Sequence, residues 1–167
     1  MEQLDVTPDR LAGTWHIVCS SFPMWQGDRR TDATFTYGPM PSGSSGAPRM
    51  SDDVGYRTRS GRHRHILGVD TRLTARPGSV YRWRGRGVLA VLSSEWEVRE
   101  MGADDAWAVI VFSRSLVTPA GADVVVRADR LDDRAVIADA LEAGVRHEAP
   151  RVPGFEPRDR PDPHPER

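Results

Sequence analysis

Leu11-Ala12-Gly13-Thr14-Trp15, near the amino terminus, is the stretch that decides the fold. Its glycine permits a tight turn, and residues 14–22 after it are rich in β-branched and aromatic side chains, which favours a strand. Alternation along this strand places Trp15, Ile17 and Cys19 on one face. We therefore expect the chain to open with a strand that carries a large aromatic side chain into the core.

The composition restricts the class of protein. The chain has 167 residues, enough for one domain with its own core, and its formal net charge of −1 favours neither nucleic acid nor an anionic membrane as a partner. Cys19 is the single cysteine, which is typical of a reducing compartment. There is no signal-peptide pattern and no apolar segment of membrane-spanning length. The sequence predicts a cytoplasmic protein without membrane insertion, and its arginine-only basic residues indicate a bacterial source.

Alternating apolar and polar residues between Gly- and Pro-rich turns predict a succession of strands. The eight predicted strands cover residues 14–22, 31–37, 53–58, 62–73, 79–84, 88–99, 106–113 and 122–128. The turns are short except at residues 38–49, which are interpreted as an insertion or a mobile lid. Sequential strands favour an all-β, eight-stranded, antiparallel up-and-down barrel, because closure removes exposed sheet edges.

One helix and a tail follow the last strand. Asp132 and Asp133 are candidate caps for a helix over residues 134–143, whose apolar stripe is expected to pack on the barrel, and Gly144 is expected to end it. Residues 148–167 are dominated by proline and charge, which predicts a disordered or extended tail. The predicted organisation is a barrel domain with its C-terminal helix over residues 1–147, and a Pro-rich tail over residues 148–167.

Taken together, these elements resemble the lipocalins and the wider calycin group. The resemblance rests on Gly13-Thr14-Trp15, which is the G-x-W motif that opens the first strand, and on Arg127 near the end of the last strand, followed by the helix. In that family the Trp closes the barrel floor and the Arg packs across its ring, which implies these roles for Trp15 and Arg127. Residues 100–105 lack the family's middle motif of the Thr-Asp-Tyr type. The chain is therefore identified as an outlying bacterial member.

Aromatic side chains on the strand faces assigned to the interior predict a binding cavity. An apolar cavity with few polar groups suits a hydrophobic small molecule, and its mouth is expected near Trp25 and the loop over residues 38–49. The alternative is that the same side chains fill the barrel and leave no cavity, as in a structural or interaction protein. The candidate ligand-binding residues are Trp25, Phe35, Tyr37, Tyr56, Trp83 and Trp96.

Two histidines carry the hypothesis of an enzyme. His63 and His65 alternate with arginines, and if the arginines face water the histidines face the interior. The resemblance then implies an alternative function, a cofactor-independent cyclase, isomerase or dehydratase of natural-product biosynthesis. In it His63 and His65 act as acid and base, and Tyr81 donates a hydrogen bond. The same histidines have the spacing to share a metal, but the prediction is that the protein uses no metal and no other cofactor. The oligomeric state stays open between monomer and homodimer.

Overall fold

Eight antiparallel strands close into one barrel, in which each strand pairs with its neighbours in sequence and the first pairs with the last. The computed structural model describes residues 4–116 and 118–156. The predicted all-β up-and-down barrel with one C-terminal helix is confirmed. The elements are α1 (Pro8–Leu11), β1 (Gly13–Ser20), β2 (Arg30–Met40), β3 (Arg49–Thr58), β4 (His63–Arg72), β5 (Ser79–Gly85), β6 (Ser93–Met101), β7 (Trp107–Phe112), β8 (Gly121–Arg127) and α2 (Arg134–Arg146).

Trp15 and Arg127 close the floor of the barrel, as the resemblance implies. The two residues are directly paired between β1 and β8, and the guanidinium carbon of Arg127 lies 4.1 Å from the centroid of the Trp15 ring. Arg127 also donates to the carbonyl oxygens of Ala12 and Asp105, at 2.8 and 2.9 Å, and to that of Arg10. Gly13 has a φ of +111°, which only glycine adopts readily. The G-x-W motif therefore fixes the closed end.

The residues before β1 pack beneath this floor. Val6 is fully buried, its amide N–H donates to Ser79 Oγ at 2.7 Å, and its carbonyl oxygen accepts from the Tyr81 hydroxyl at 2.6 Å. Arg10, in α1, forms a two-pronged ion pair with Asp105, with distances of 2.6 and 3.0 Å. A ligand therefore has no entry from this side.

The outer face of β1, β7 and β8 is covered by α2. Asp133 caps the helix by accepting from the amide N–H groups of Ala135 and Val136. The helix continues three residues beyond its predicted end at residue 143, and Gly144 lies within it against Cys19, where a Cβ would come within 2.6 Å of the sulfur. A bulge in β1 turns Cys19 to this outer layer, away from the face that alternation predicted for it. None of the described residues forms a helix long and apolar enough to cross a bilayer.

The two ends of the barrel carry different loops, and this corrects the predicted mouth. In an up-and-down barrel consecutive loops alternate between the ends. The floor lies where β1 begins, so the loop between β2 and β3, residues 41–48, is also at the closed end. The open end carries residues 21–29, 59–62, 86–92, 113–116 and 118–120. The expectation that the 38–49 stretch lies at the mouth is therefore wrong, whereas Trp25 does lie there.

The described part of the tail, residues 148–156, includes a stretch that is hydrogen-bonded to β1. Beyond His16, β1 has no partner residue on β2, and the chain after α2 takes that place. Ser20 N–H donates to the Pro150 carbonyl at 2.9 Å, and Val152 N–H donates to the Val18 carbonyl at 3.0 Å. Residues 148–156 are therefore part of the fold, and the rest of the predicted tail, residues 157–167, lies outside the described residues.

One predicted strand begins too early. Residues 87–91 form a single 3-10 turn, and β6 starts at Ser93 instead of residue 88. The apolar run that suggested a strand is at the open end, where Val88 and Val91 are both more than four-fifths exposed. Apolar character alone did not separate a buried strand from an exposed loop.

Candidate functional site

A cavity of about 260 Å³ lies inside the open end of the barrel. Residues from the β1–β2 loop cover it, among them Trp25, and Thr118 and Pro119 of the β7–β8 loop contribute to its wall. The remaining apolar surface comes from inward-facing strand residues. Its aromatic lining residues are Phe22, Trp25, Phe35, Tyr37, Trp83, Trp96 and Phe112. The barrel is therefore not completely filled by its own side chains.

Stacked rings form the base of the cavity. Trp96 lies between Tyr81, with ring centroids 4.8 Å apart, and Tyr37, with centroids 5.8 Å apart, and both pairs are close to parallel. Tyr37 and Trp96 line the cavity, whereas Tyr81 lies below them. The stack fills the lower barrel and confines a ligand to the upper half.

Three buried carboxyl groups are placed in this otherwise apolar interior. Asp52 on β3 and Asp123 on β8 line the cavity, and Asp70 on β4 lies diagonally across from Asp52 in the strand pairing. Trp96 Nε1 donates to Asp70 Oδ1 at 2.8 Å, and Ser20 Oγ donates to Asp123 Oδ1. Among residues 4–116 and 118–156 no N–H group reaches Asp52 Oδ1 or Asp70 Oδ2, and these oxygens are satisfied when one of the two carboxyls is protonated and donates to the other.

Burial controls the ionisation of these groups. It raises the pKa of Asp52 well above its usual range, and the adjacent Asp70 raises it further. Burial likewise raises the pKa of Asp70 and of Asp123 to about 7, although hydrogen bonds from Trp96 and Ser20 partly oppose it. Burial also raises the pKa of Tyr37. The cavity therefore holds acids that keep protons near neutral pH.

One indole N–H in the cavity wall has no acceptor. Trp83 Nε1 is buried without a hydrogen-bond partner. Its ring lies directly over Gly68 of the paired strand, where an added Cβ would come within 2.1 Å of Nε1. Gly68 thus leaves open the space that Trp83 occupies, and the indole N–H is buried against it without an acceptor among the described residues.

The expectation that His63 and His65 face the interior is wrong. Both are exposed, and His65 Nδ1 lies 2.8 Å from Asp53 Oδ1 on the outer face. They border a larger, more polar groove of about 490 Å³ beside residues 152–156. On β4 the residues that face inward are the even-numbered ones, including Ile66 and Asp70, whereas His63 and His65 face outward. The histidines therefore have no access to the cavity.

Five of the six aromatic residues predicted to bind a ligand line the cavity. Trp25, Phe35, Tyr37, Trp83 and Trp96 all line the cavity. Tyr56 does not line it; its ring centroid lies 6.0 Å from that of Trp25, and it borders the outer groove. Tyr81 is fully buried with its hydroxyl donated to the Val6 carbonyl, so it cannot donate to a molecule in the cavity.

The interior acids were not among the residues predicted from the sequence. Asp52 lies two residues before Val54 of the predicted third strand, so both side chains are on the same face of an extended chain. Asp123 is followed by a run of three valines. An acid at an inward position of a strand is a detectable signal, since carboxyls are rarely buried without partners. Among residues 4–116 and 118–156, no three His, Cys, Asp or Glu side chains are arranged to hold a metal ion.

Comparison with solved structures identifies the architecture. Lobster apocrustacyanin A1 superposes with a TM-score of 0.53 at 11% identity, covering 83% of this chain and 72% of that one. The siderocalin Ex-FABP gives 0.54 at 13% identity, covering 84% of each chain. The fold is lipocalin-like. Japanin from Rhipicephalus appendiculatus, solved bound to cholesterol, gives 0.54 at 11% identity and covers 91% of this chain and 99% of that one. No protein-family model and no curated protein sequence matches this lipocalin-like chain.

Proposed function

We propose that the protein binds a small, largely apolar molecule in the cavity at the open end of its barrel. The observation that supports this most directly is the cavity itself, which remains although seven aromatic side chains surround it. Burying apolar ligand surface against such walls is the main source of affinity in sites of this kind. Japanin, which shares the lipocalin-like fold and was solved bound to cholesterol, supports an apolar ligand.

The size of the cavity limits the ligand. About 260 Å³ corresponds to about nine water molecules at about 30 Å³ each. A molecule of about ten non-hydrogen atoms fits without rearrangement. A single aromatic ring with a short substituent is therefore the expected size, and a sterol would require the mouth loops to open.

Calorimetric titration with indole and 2-phenylethanol tests this function. Both should bind the wild-type protein, and Ile66→Trp, which adds bulk to the cavity wall, should weaken them at least tenfold. Leu67→Trp is the matched control, because the adjacent side chain is 45% exposed on the outer face and should leave affinity unchanged. Absence of binding to the wild-type protein, or equal affinities for both variants, would contradict the proposal.

The cyclase, isomerase or dehydratase alternative now depends on different residues. His63, His65 and Tyr81 have no access to the cavity, but Asp52 and Asp123 line it, and burial raises the pKa of Asp123 to about 7. A carboxyl that titrates near neutral pH is suited to move one proton in catalysis. Mass spectrometry of ligands recovered after incubation separates the two functions, since an enzyme returns an altered molecule and a binder returns the original one.

A further inference from the structure

We propose that the cavity selects small molecules that carry a protonated amine on an apolar, aromatic body, with the ammonium group held against Asp52. This inference rests on the proposed function, because it names the class of ligand that the same cavity takes. It follows from the charges that surround the cavity and from the space inside it.

Asp52 is the carboxyl best placed to meet a ligand. Its side chain lines the cavity while the residue as a whole is only 6% exposed, and no N–H group among the described residues reaches its Oδ1. Asp123, at the cavity wall, already accepts from Ser20, and Asp70 lies deeper and accepts from Trp96. An ammonium group entering from the mouth therefore finds at Asp52 an acceptor whose competing donor, among the described residues, is only the proton that it shares with Asp70.

The surroundings of Asp52 supply no positive charge. The groups around it are Tyr37 on β2, Asp70 on β4, Trp83 on β5 and Trp96 on β6, none of which is a cation. Within residues 4–116 and 118–156, neither arginine nor histidine forms an ion pair with any of the three interior carboxyls. A buried ionised carboxyl without a partner is costly, so the empty site holds its protons.

A cation changes that balance, because its attraction to a carboxylate is strongest where water is excluded. A hydrogen bond between an ammonium and a carboxylate is also roughly twice as strong as one between neutral groups. The Trp83 ring, which lines the cavity and is not part of the Tyr37–Trp96–Tyr81 stack, adds attraction for a positive charge through its π system. A neutral ligand of the same shape receives only the neutral hydrogen bond and the apolar contacts.

The cavity favours an organic cation over a metal ion. Its volume of about 260 Å³ is several times that of a single ion, and most of its lining is aromatic or aliphatic and is not suited to ligate one. The described residues also contain no group of three metal-ligating side chains. The space between the carboxyl and the mouth is suited to one aromatic ring.

Three phenyl compounds of similar size test the inference: 2-phenylethylamine, 2-phenylethanol and acetophenone. Their affinities for the full-length protein are compared by calorimetry at pH 7.5 and 0.15 M salt. The amine should bind at least tenfold more tightly than the alcohol and the ketone. Asp52→Asn, which keeps the shape and removes the charge, should abolish that preference. Asp53→Asn is the matched control, because the neighbouring carboxyl lies on the outer face beside His65 and should leave the preference intact.

The outcomes separate this inference from the proposed function. If the alcohol or the ketone binds as tightly as the amine, the inference is overturned while the cavity remains a binding site for apolar molecules. If Asp52→Asn binds the amine as well as wild type does, the ammonium is not held by Asp52. If none of the three compounds binds, the proposed function fails together with the inference. The comparison of three compounds on the wild-type protein holds even if the Asn variant does not fold.

Discussion

Gly68 determines how much room the cavity has. It lies on β4 under the indole of Trp83, and any larger residue would collide with that ring or with the Arg84 carbonyl oxygen, 2.9 Å from the position of an added Cβ. The glycine is therefore required because the Trp83 side chain of β5 packs closely against the backbone of β4. Its backbone angles do not require glycine, since its φ is not positive.

We expect Gly68→Ala to push the Trp83 ring toward the cavity and to weaken binding of 2-phenylethanol several-fold. The reason is steric, because the added Cβ would lie 2.1 Å from Trp83 Nε1. Calorimetry on folded protein, checked by circular dichroism, measures the effect. Gly43→Ala is the control, since its Cβ would meet only the Arg49 side chain at ordinary contact distance. Unchanged affinity in Gly68→Ala would show that the indole does not limit the space.

The sequence predicted well which aromatic side chains face the barrel interior, but it predicted poorly which polar side chains do. Trp83 and Trp96 belong to strands whose two faces differ clearly in polarity, so alternation assigns them inward. On β4 both faces carry apolar residues, Leu67 and Val69 on one and Ile66 on the other, and the histidines were assigned with the wrong set. Arg64 lies on the inward face of β4, but it is near the open end of the barrel, where side chains on both faces of the strand are exposed to water.

The loops show what the order of strands alone could have predicted. Their position follows from counting, because alternate connections of an up-and-down barrel lie at alternate ends. The loop between β2 and β3 is long and rich in glycine, serine and proline, which suggested a lid. Its place at the closed end, beside the floor formed by Trp15, follows from strand order and is independent of its composition.

Replacing residues 41–48 by Asn-Gly should leave affinity for 2-phenylethanol within about twofold of the wild-type value. Met40 pairs directly with Arg49, and a two-residue turn connects such a pair. Stability is expected to change, because the Arg72 N–H loses the Pro48 carbonyl as its acceptor. Trp25→Ala, at the open end, provides the contrast and should weaken binding. A tenfold loss of affinity in the shortened protein would restore the lid interpretation.

On the scale of the whole molecule, the interior acids make stability depend on pH. Burial raises the pKa of Asp70 and Asp123 to about 7 and that of Asp52 well above its usual range, so the folded chain binds more protons than the unfolded chain between about pH 4 and pH 7. Stability should therefore fall as pH rises through this interval. Below it the trend reverses, because ion pairs such as Arg10–Asp105 lower carboxyl pKa values.

We expect the melting temperature to be several degrees higher at pH 5.5 than at pH 8, since each kcal/mol is worth roughly 2 to 4 °C in a chain of this size. The combined variant Asp52→Asn and Asp123→Asn should flatten this dependence. Asp53→Asn, on the outer face, should not. Calorimetric scans across this range make the measurement, and equal melting temperatures of the wild-type protein at both pH values would mean that these carboxyls are ionised in the folded state.

The global architecture was predictable because several independent signals agree on it. The G-x-W motif, the distant Arg127, eight strand patterns and one capped helix each favour the same closed barrel. The site was less predictable because it depends on which face of β3, β4 and β8 points inward, and a single residue of register reverses that face. Buried acids also contradict the rule that polar residues face water.

The closing strand pair bears on the order in which the chain is made. Arg127 reaches back to Ala12, 115 positions earlier, and the outer stretch of β1 is completed only by residues 150–152. β1 is therefore the first strand to be synthesised and the last to acquire both of its neighbours. Contacts this distant in sequence slow folding, and an unpaired strand edge invites association with other chains in the interval. The newly made protein is thus most exposed to aggregation at the strand that later carries its most tightly held tryptophan.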